Sequence, residues 1–268
     1  MNNALLKVLG WKATVLHGDP LCYDRYHWIQ KHLQPGPLKT LDAGCGNGCF
    51  SFYAATQGND VLGLSFDEPQ NKAAAERGRL LGLKNARFEV LDLRDLHKVR
   101  DTLGQFDQIL LLETIEHVRN DRKLVKDLTH HLKPGGRLFL STPYKEHKGL
   151  RLEKLSEVED GGHVRWGYTH EELRSILDEA GLDVVAEDYT SGIVSQKLTN
   201  MMRVPNEKAA WAASFPLRIF QVLLDKPLTK ATKFPPFGVG VVGVKRTPEP
   251  AATKAQATVR EPQPAGRA

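Results

Sequence analysis

Two histidines in this 268-residue sequence stand among residues that could move a proton. His117 closes the segment "ETIEH", with Glu116 beside it and Glu113 four positions earlier. An imidazole oriented by a carboxylate is a general base suited to taking a hydroxyl proton. His163 lies in "GGHVRWGYT", behind two glycines that can serve as hinges and ahead of Arg165, Trp166 and Tyr168. Those three residue types, with Tyr144 near the start of the same long connection, are expected to contact an acceptor molecule. A third segment, "LDAGCGNG" from Leu41 to Gly48, alternates glycine with other residues just after an acid. Such a turn lets backbone N–H groups approach a ligand closely.

The elements that must position these residues follow from periodicity and punctuation. Residues 22–33 have the pattern of an amphipathic helix, stopped by the "QPGP" that follows. From Thr40 the chain alternates short apolar runs with helical patterns. Strands are expected at 40–44, 60–66, 86–93, 106–114, 137–143, 182–189 and 238–246. Helices are expected between them, one with Pro69 in its first turn and one opened by a Thr169–Glu172 capping box and closed at Gly181. This rhythm predicts an α/β fold with a doubly wound, mostly parallel, seven-stranded sheet. Reactive groups then belong above the carboxyl ends of the strands.

Glycine spacing narrows the ligand. Dinucleotide sites use G-x-G-x-x-G, whereas this turn reads Gly44-x-Gly46-x-Gly48, with Asp42 two residues ahead of the first glycine. The turn resembles the first motif of class I S-adenosylmethionine (SAM)-dependent methyltransferases. The resemblance continues through "VLGLSFDEPQNKAAAERGRLLGL", "ARFEVLDLRDL", "FDQILLLETIEHV" and "LVKDLTHHLKPGGRLFLSTP", covering residues from about 40 to 190. The "ETIEHV" segment is similar to its counterpart in ubiquinone-pathway and related small-molecule O-methyltransferases.

The resemblance implies SAM as cofactor and assigns roles by position. Asp42 orients the methionyl amino group, Gly44 and Gly46 admit its carboxylate part, and Asp92 with the Leu93 amide holds the adenine. Glu113 lies near the methionine amine, and Phe66 is placed to stack on the adenine. One position departs from the family: Ser65 stands where an acid usually holds the ribose hydroxyls, with Asp67 as a rival ribose ligand or a helix cap. The expected reaction is methyl transfer to a small molecule, most naturally at a hydroxyl oxygen, with His117 or His163 as base. The alternatives are transfer to carbon or nitrogen of a lipid-linked or isoprenoid acceptor, or a non-catalytic partner subunit of the same fold. The three cysteines, Cys22, Cys45 and Cys49, lack metal-site spacing, and no metal is expected. The pair His130-His131 is read as structural.

Lys and Arg number 37 against 32 Asp and Glu, a net charge of +5 that does not by itself indicate nucleic acid. No nucleic-acid partner is expected, because basic and aromatic residues do not interleave on a reading module. With few cysteines, no long apolar leader and no spanning apolar run, a cytoplasmic location is expected, peripheral to a membrane in the lipid-linked reading. Three regions are anticipated: an N-terminal helical cap (1–36), the methyltransferase domain (37–246) with a helical insertion (190–236), and a disordered Pro/Ala-rich tail (247–268). Between 197 and 246 nine basic residues face two acidic ones. The segment includes "SFPLRIFQVLLDK", read as a helix capped by Ser214 with Pro216 in its first turn and a narrow polar stripe of Arg218, Gln221 and Asp225. It is expected to bury its apolar side as a lid or dimer contact; residues 209–233 are the candidate for peripheral membrane contact. Oligomeric state is left open.

Overall fold

A computed structural model describes residues 3–148, 154–202 and 207–247. The expected Pro/Ala-rich tail beyond Thr247 lies outside the described residues. The chain opens with three helices, α1 (Asn3–Leu9), α2 (Lys12–His17) and α3 (Pro20–His32). Strand β1 (Lys39–Ala43) leads to α4 (Cys49–Thr56), β2 (Asp60–Ser65), α5 (Glu68–Leu80) and β3 (Ala86–Val90). A short 3-10 helix (Leu93–Val99) precedes β4 (Phe106–Leu112), α6 (Asp121–His130), β5 (Leu132–Pro143), α7 (His170–Glu179) and β6 (Leu182–Thr190). Two further helices, α8 (Ile193–Met202) and α9 (Glu207–Thr232), come before the last strand β7 (Gly238–Lys245).

The strands form one sheet in the order β3-β2-β1-β4-β5-β7-β6. All pairs are parallel except those of β7, which runs antiparallel to β5 and β6. The central strands are buried on both faces, and β4 accordingly ends in the apolar run Ile109–Leu112. Alternation along β4 sorts its side chains. Ile109 and Leu111 join Leu64, Leu140, Leu128 and Leu177 in one core. Leu110 and Leu112 face the other way, onto Trp28, Ile29, Tyr53 and Phe139. Helix α3 is thereby fixed to the sheet, and its Arg25 reaches the residue just past β4.

The expected capping box of α7 is present: Glu172 N donates to Thr169 Oγ1 at 3.2 Å and Thr169 N to Glu172 Oε2 at 2.9 Å. His131 is buried, with Nδ1 2.9 Å from the Gly104 carbonyl, which fits the structural reading of that pair. Helix α9 departs from expectation. It does not start at Ser214 but runs through both Pro216 and Pro227. Its orientation is also reversed. Ser214, Arg218, Gln221 and Asp225 are buried, while Ile219, Phe220, Val222 and Leu223 are exposed. The apolar side is not buried as a lid on the protein body, because the polar stripe is what the body grips.

Candidate active site

The turn after β1 is tied down by β2: the Leu64 carbonyl accepts from both Gly44 N and Cys45 N at 2.9 Å. Gly44 takes a φ of 90° and packs against the end of β4, where a Cβ would stand 2.3 Å from Thr114 Oγ1. Gly46, at φ 49°, faces only Gln70 Oε1, 3.4 Å from where its Cβ would be, so this side of the turn stays open to a ligand. Asp42 is buried and accepts from Ser51 Oγ at 2.6 Å, which fastens β1 to α4. Burial pushes its carboxyl up to about 6, against the hydrogen bonds from Ser51.

At the end of β2, Ser65 Oγ accepts from Asp67 N at 3.2 Å. Asp67 caps α5: its Oδ1 takes Gln70 N at 2.9 Å and its Oδ2 takes Gln70 Nε2 at 2.8 Å. Both Asp67 oxygens are thus engaged by the helix start, the helix-cap alternative in the sequence reading. Phe66 is 60% exposed, as a stacking platform must be, and Gly161 of the long loop lies against its ring tip. Asp92, at the end of β3, caps the 3-10 helix through Arg94 N and pairs with the Arg94 guanidinium. That partner holds its carboxyl below the ordinary range. Arg94 also donates to the Glu159 carbonyl at 3.2 Å, linking the expected adenine end to the loop. Leu93 is buried beside it.

Glu113 sits one residue past β4 at φ 49°, a conformation uncommon for a residue with a side chain and one that recurs at functional sites. Its Oε1 accepts from Ser141 Oγ at 3.0 Å and its Oε2 faces Arg25 Nη1 at 3.1 Å. Arg25 comes from α3 and its Nε is buried without a partner. A guanidinium and a carboxylate side by side suit the two charges of an amino-acid end group. Arg25 was missed in the sequence because a lone arginine on an amphipathic helix carries no spacing signal.

Glu116 is fully buried; Thr142 Oγ1 donates to its Oε2 at 3.1 Å and its Oε1 has no partner. Burial first, and the Glu113 charge second, push its carboxyl well above the ordinary range. His117 Nε2 stands 3.9 Å from Glu116 Oε1, and His117 Nδ1 is buried without a partner. The His163 ring meets the His117 ring edge-on, with centroids 4.6 Å apart. Val164 N donates to the Glu116 carbonyl at 3.0 Å, which places the loop there. The two base candidates, read from separate segments, therefore meet over one buried carboxyl. Donor atoms of Glu116, His117 and His163 lie within 4.8 Å of one another, a set able to hold a divalent cation that the sequence reading did not single out.

The residues expected to contact the acceptor gather apart from the two histidines. Arg165 forms an ion pair with Asp121 and donates to the Val118 and Arg119 carbonyls. Tyr168 Oη donates to the same Asp121 at 2.8 Å and is almost fully buried. With Trp166 they line a cavity of about 630 Å³ between α6, α7 and the loop, whose walls include neither histidine nor the glycine turn. Arg165 and Tyr168 anchor the loop to the start of α6 because Asp121 claims their polar groups. Tyr144 donates to Glu146 at 2.8 Å and packs edge-on against Tyr189, so it too lies away from the histidines' contacts. Tyr26 packs with Trp11 and Tyr53, whereas Tyr23 and His27 meet edge-on and line a second cavity. Cys22 and Cys49 face each other at 4.0 Å as buried thiols.

The open glycine turn, the exposed aromatic after β2, the acid after β3 and the Arg25–Glu113 pair fit the methionine, adenine and charged ends of SAM. With the strand order, they define a class I SAM-dependent methyltransferase fold. The chain belongs to the methyltransferase domain family, whose sequence model matches residues 23–187, and SAM is the family's methyl donor. The ubiquinone biosynthesis O-methyltransferase of Acinetobacter baylyi is 31% identical over 121 residues, 44% of this chain and 49% of that protein. Phosphoethanolamine N-methyltransferase 1 of Arabidopsis thaliana is 30% identical over 186 residues, 69% of this chain and 36% of that protein. The chain thus spans about half the length, or less, of these relatives. Among solved structures, a sarcosine dimethylglycine methyltransferase described as putative, from Galdieria sulphuraria, superposes with a TM-score of 0.57 at 18% identity, covering 84% of each chain. Coclaurine N-methyltransferase bound to N-methylheliamine and SAH superposes at 0.55 with 16% identity, covering 81% of this chain and 70% of that one.

Proposed function

We propose that this protein transfers the methyl group of SAM to a hydroxyl oxygen of a small molecule. The observation that carries the reading is His117, set against the buried Glu116 at the end of β4 and covered by His163 from the loop. SAM, when bound, supplies a methyl carbon activated by a neutral thioether leaving group. The chain's own part is positioning and proton removal. Glu113 and Arg25 orient the amino-acid end of the cofactor, and Phe66, Ser65 and Asp92 hold its nucleoside end. With SAM bound, His117 would take the acceptor's hydroxyl proton and so free the oxygen for methylation. Glu116 and His163 flank the imidazole. The loop reaches Phe66 and Arg94 at the nucleoside end.

The test is isotope-labelled methyl transfer into a metabolite and lipid extract, followed by kinetics on the acceptor found. His117→Ala should lower kcat by about 10²–10⁴-fold with SAM affinity nearly unchanged. Rates within a few-fold of wild type in both His117→Ala and His163→Ala would overturn the base assignment and favour an amine or carbon acceptor.

A second reading, a lipid-linked or isoprenoid acceptor met by a cytoplasmic protein at a membrane surface, is favoured by the exposed apolar side of α9. No described helix is long and apolar enough to cross a membrane. The similarity to an N-methyltransferase keeps transfer to nitrogen within this reading.

A further inference from the structure

Helix α9 turns an amphipathic pattern inside out. A surface helix ordinarily buries its apolar stripe and shows its polar face to water. Here the polar stripe at 214, 218, 221 and 225 is buried, and every described contact of its long side chains goes to the body of the protein. Arg218 donates to the Leu16 and Gly18 carbonyls at 3.0 and 2.7 Å. Gln221 donates to the Pro20 carbonyl at 2.8 Å and to Asp24 Oδ1 at 3.0 Å. Asp225 accepts from Gly192 N, Val194 N and Ser195 N, and Thr229 Oγ1 accepts from Ile193 N. A Cβ at Gly192 would stand 1.9 Å from Thr229 Oγ1, so the fit is close as well as polar. The helix cannot roll its apolar side inward without surrendering these bonds.

What is left facing outward is Ile219 at 59%, Phe220 at 48%, Val222 at 59% and Leu223 at 62% exposure, with Leu217, Leu224 and Leu228 beside them. A contiguous apolar patch of this kind marks an interaction surface. The charges around it indicate its occupant. Lys226, Lys230 and Lys233 are exposed at its carboxyl end. The sole carboxylate between 214 and 233 is Asp225, which is buried in the α8 cap. The same stretch of a second copy would bring no exposed carboxylate to face these lysines. An anionic lipid surface complements both the apolar side chains and the lysines.

We propose that α9 is a membrane-docking face that seats the protein on an anionic bilayer, with Phe220 and Leu223 in the headgroup–acyl boundary and the three lysines over lipid phosphates. The proposal deepens the second reading above, on which its bearing on the acceptor rests. Lys226 and Lys230 also line a cavity of about 450 Å³ whose far wall is α3, the helix that carries Arg25 to Glu113. The face and the site of proposed chemistry therefore share one helix. This surface lies outside residues 23–187, so it belongs to this chain and not to the family match.

The experiment is co-sedimentation of the full chain, without SAM, with vesicles of phosphatidylcholine alone and with one third phosphatidylglycerol, at low and high salt. Anionic vesicles should carry the protein down at low salt, neutral vesicles poorly, and high salt should release it. Lys226→Gln with Lys230→Gln should weaken partitioning by roughly 30-fold, since each lysine near such a surface contributes roughly fivefold. Leu223→Asp should abolish binding while the melting temperature holds, because the side chain is exposed. No sedimentation with anionic vesicles at low salt would overturn the proposal. So would a concentration-dependent dimer that Leu223→Asp dissolves, which would give the face to a second copy. Neither result depends on turnover, so the methyl-transfer reading stands or falls separately.

Discussion

Arg25 Nη1 lies 3.1 Å from Glu113 Oε2, so a helix near the start of the chain supplies the counter-charge to a residue held in the left-handed region at the end of β4. The pair is mostly shielded, and removing one member strands the other. Arg25→Gln should destabilise the fold by roughly 3 kcal/mol and weaken SAM binding at least tenfold. Melting curves and titration calorimetry read the two effects. Adding Glu113→Gln should recover part of the stability and none of the affinity. Full SAM affinity in Arg25→Gln would remove the pair from the cofactor site.

The nucleoside end is tested at Ser65 and the methionine end at Gly46. Ser65 presents a hydroxyl where a carboxylate could take both ribose hydroxyls, so Ser65→Asp should tighten SAM by roughly 1 kcal/mol. Gly46→Val should abolish binding, since valine resists a φ of 49° and its branches fill the open side of the turn. Calorimetry showing Gly46→Val with wild-type affinity would place the cofactor elsewhere.

Asp121 holds both Arg165 and Tyr168. If those residues anchor the loop, Asp121→Ala should open residues 154–168 to limited proteolysis several-fold faster and raise the acceptor KM more than it lowers kcat. If they bind the acceptor directly, Arg165→Lys would raise KM with no change in proteolysis.

Asp24 gives a pH prediction with a definite sign. Its Oδ2 is shut away without a hydrogen-bond partner, and burial pushes the carboxyl up to about 6. The unfolded chain releases this proton near the ordinary value of about 3.9. Between those values the native state holds more protons, so stability is intact below about pH 4 and is lost as pH rises to about 6. The loss amounts to about 3 kcal/mol at most. Asp24→Asn keeps an acceptor for Gln221 and cannot ionise. It should match wild type at pH 4 and melt higher at pH 7. A constant difference across that range would remove Asp24 as the cause. Asp42 titrates in the same window and leaves a residual slope.

The sheet was legible in the sequence because apolar runs, helix caps and glycine stops are local signals, and they agree along residues 40 to 190. The places of the glycine turn, Phe66 and Asp92 at strand ends were legible for the same reason, while their roles toward SAM came from the family resemblance. The meeting of His117 with His163 was not, since nothing local says that a loop will fold back onto β4. The hold of Asp121 on Arg165 and Tyr168 was not legible either, since Asp121 stands more than 40 residues earlier. The stripe on α9 was read correctly as a stripe. Its direction was not, because periodicity defines two faces and is silent about which one the rest of the molecule holds.

The carbonyl end of β6 passes into α8 through amides that α9, not α8, satisfies: Gly192, Ile193, Val194 and Ser195 all donate to Asp225 or Thr229. A helix usually supplies its own start with a cap from the residue just before it. Here the cap arrives from a helix some thirty residues later, so the first turn of α8 has no independent existence. In native-state hydrogen exchange the two helices should behave as one opening unit. The amides of 192–195 would then exchange only when α9 lifts away, at a common free energy well below that of the central strands.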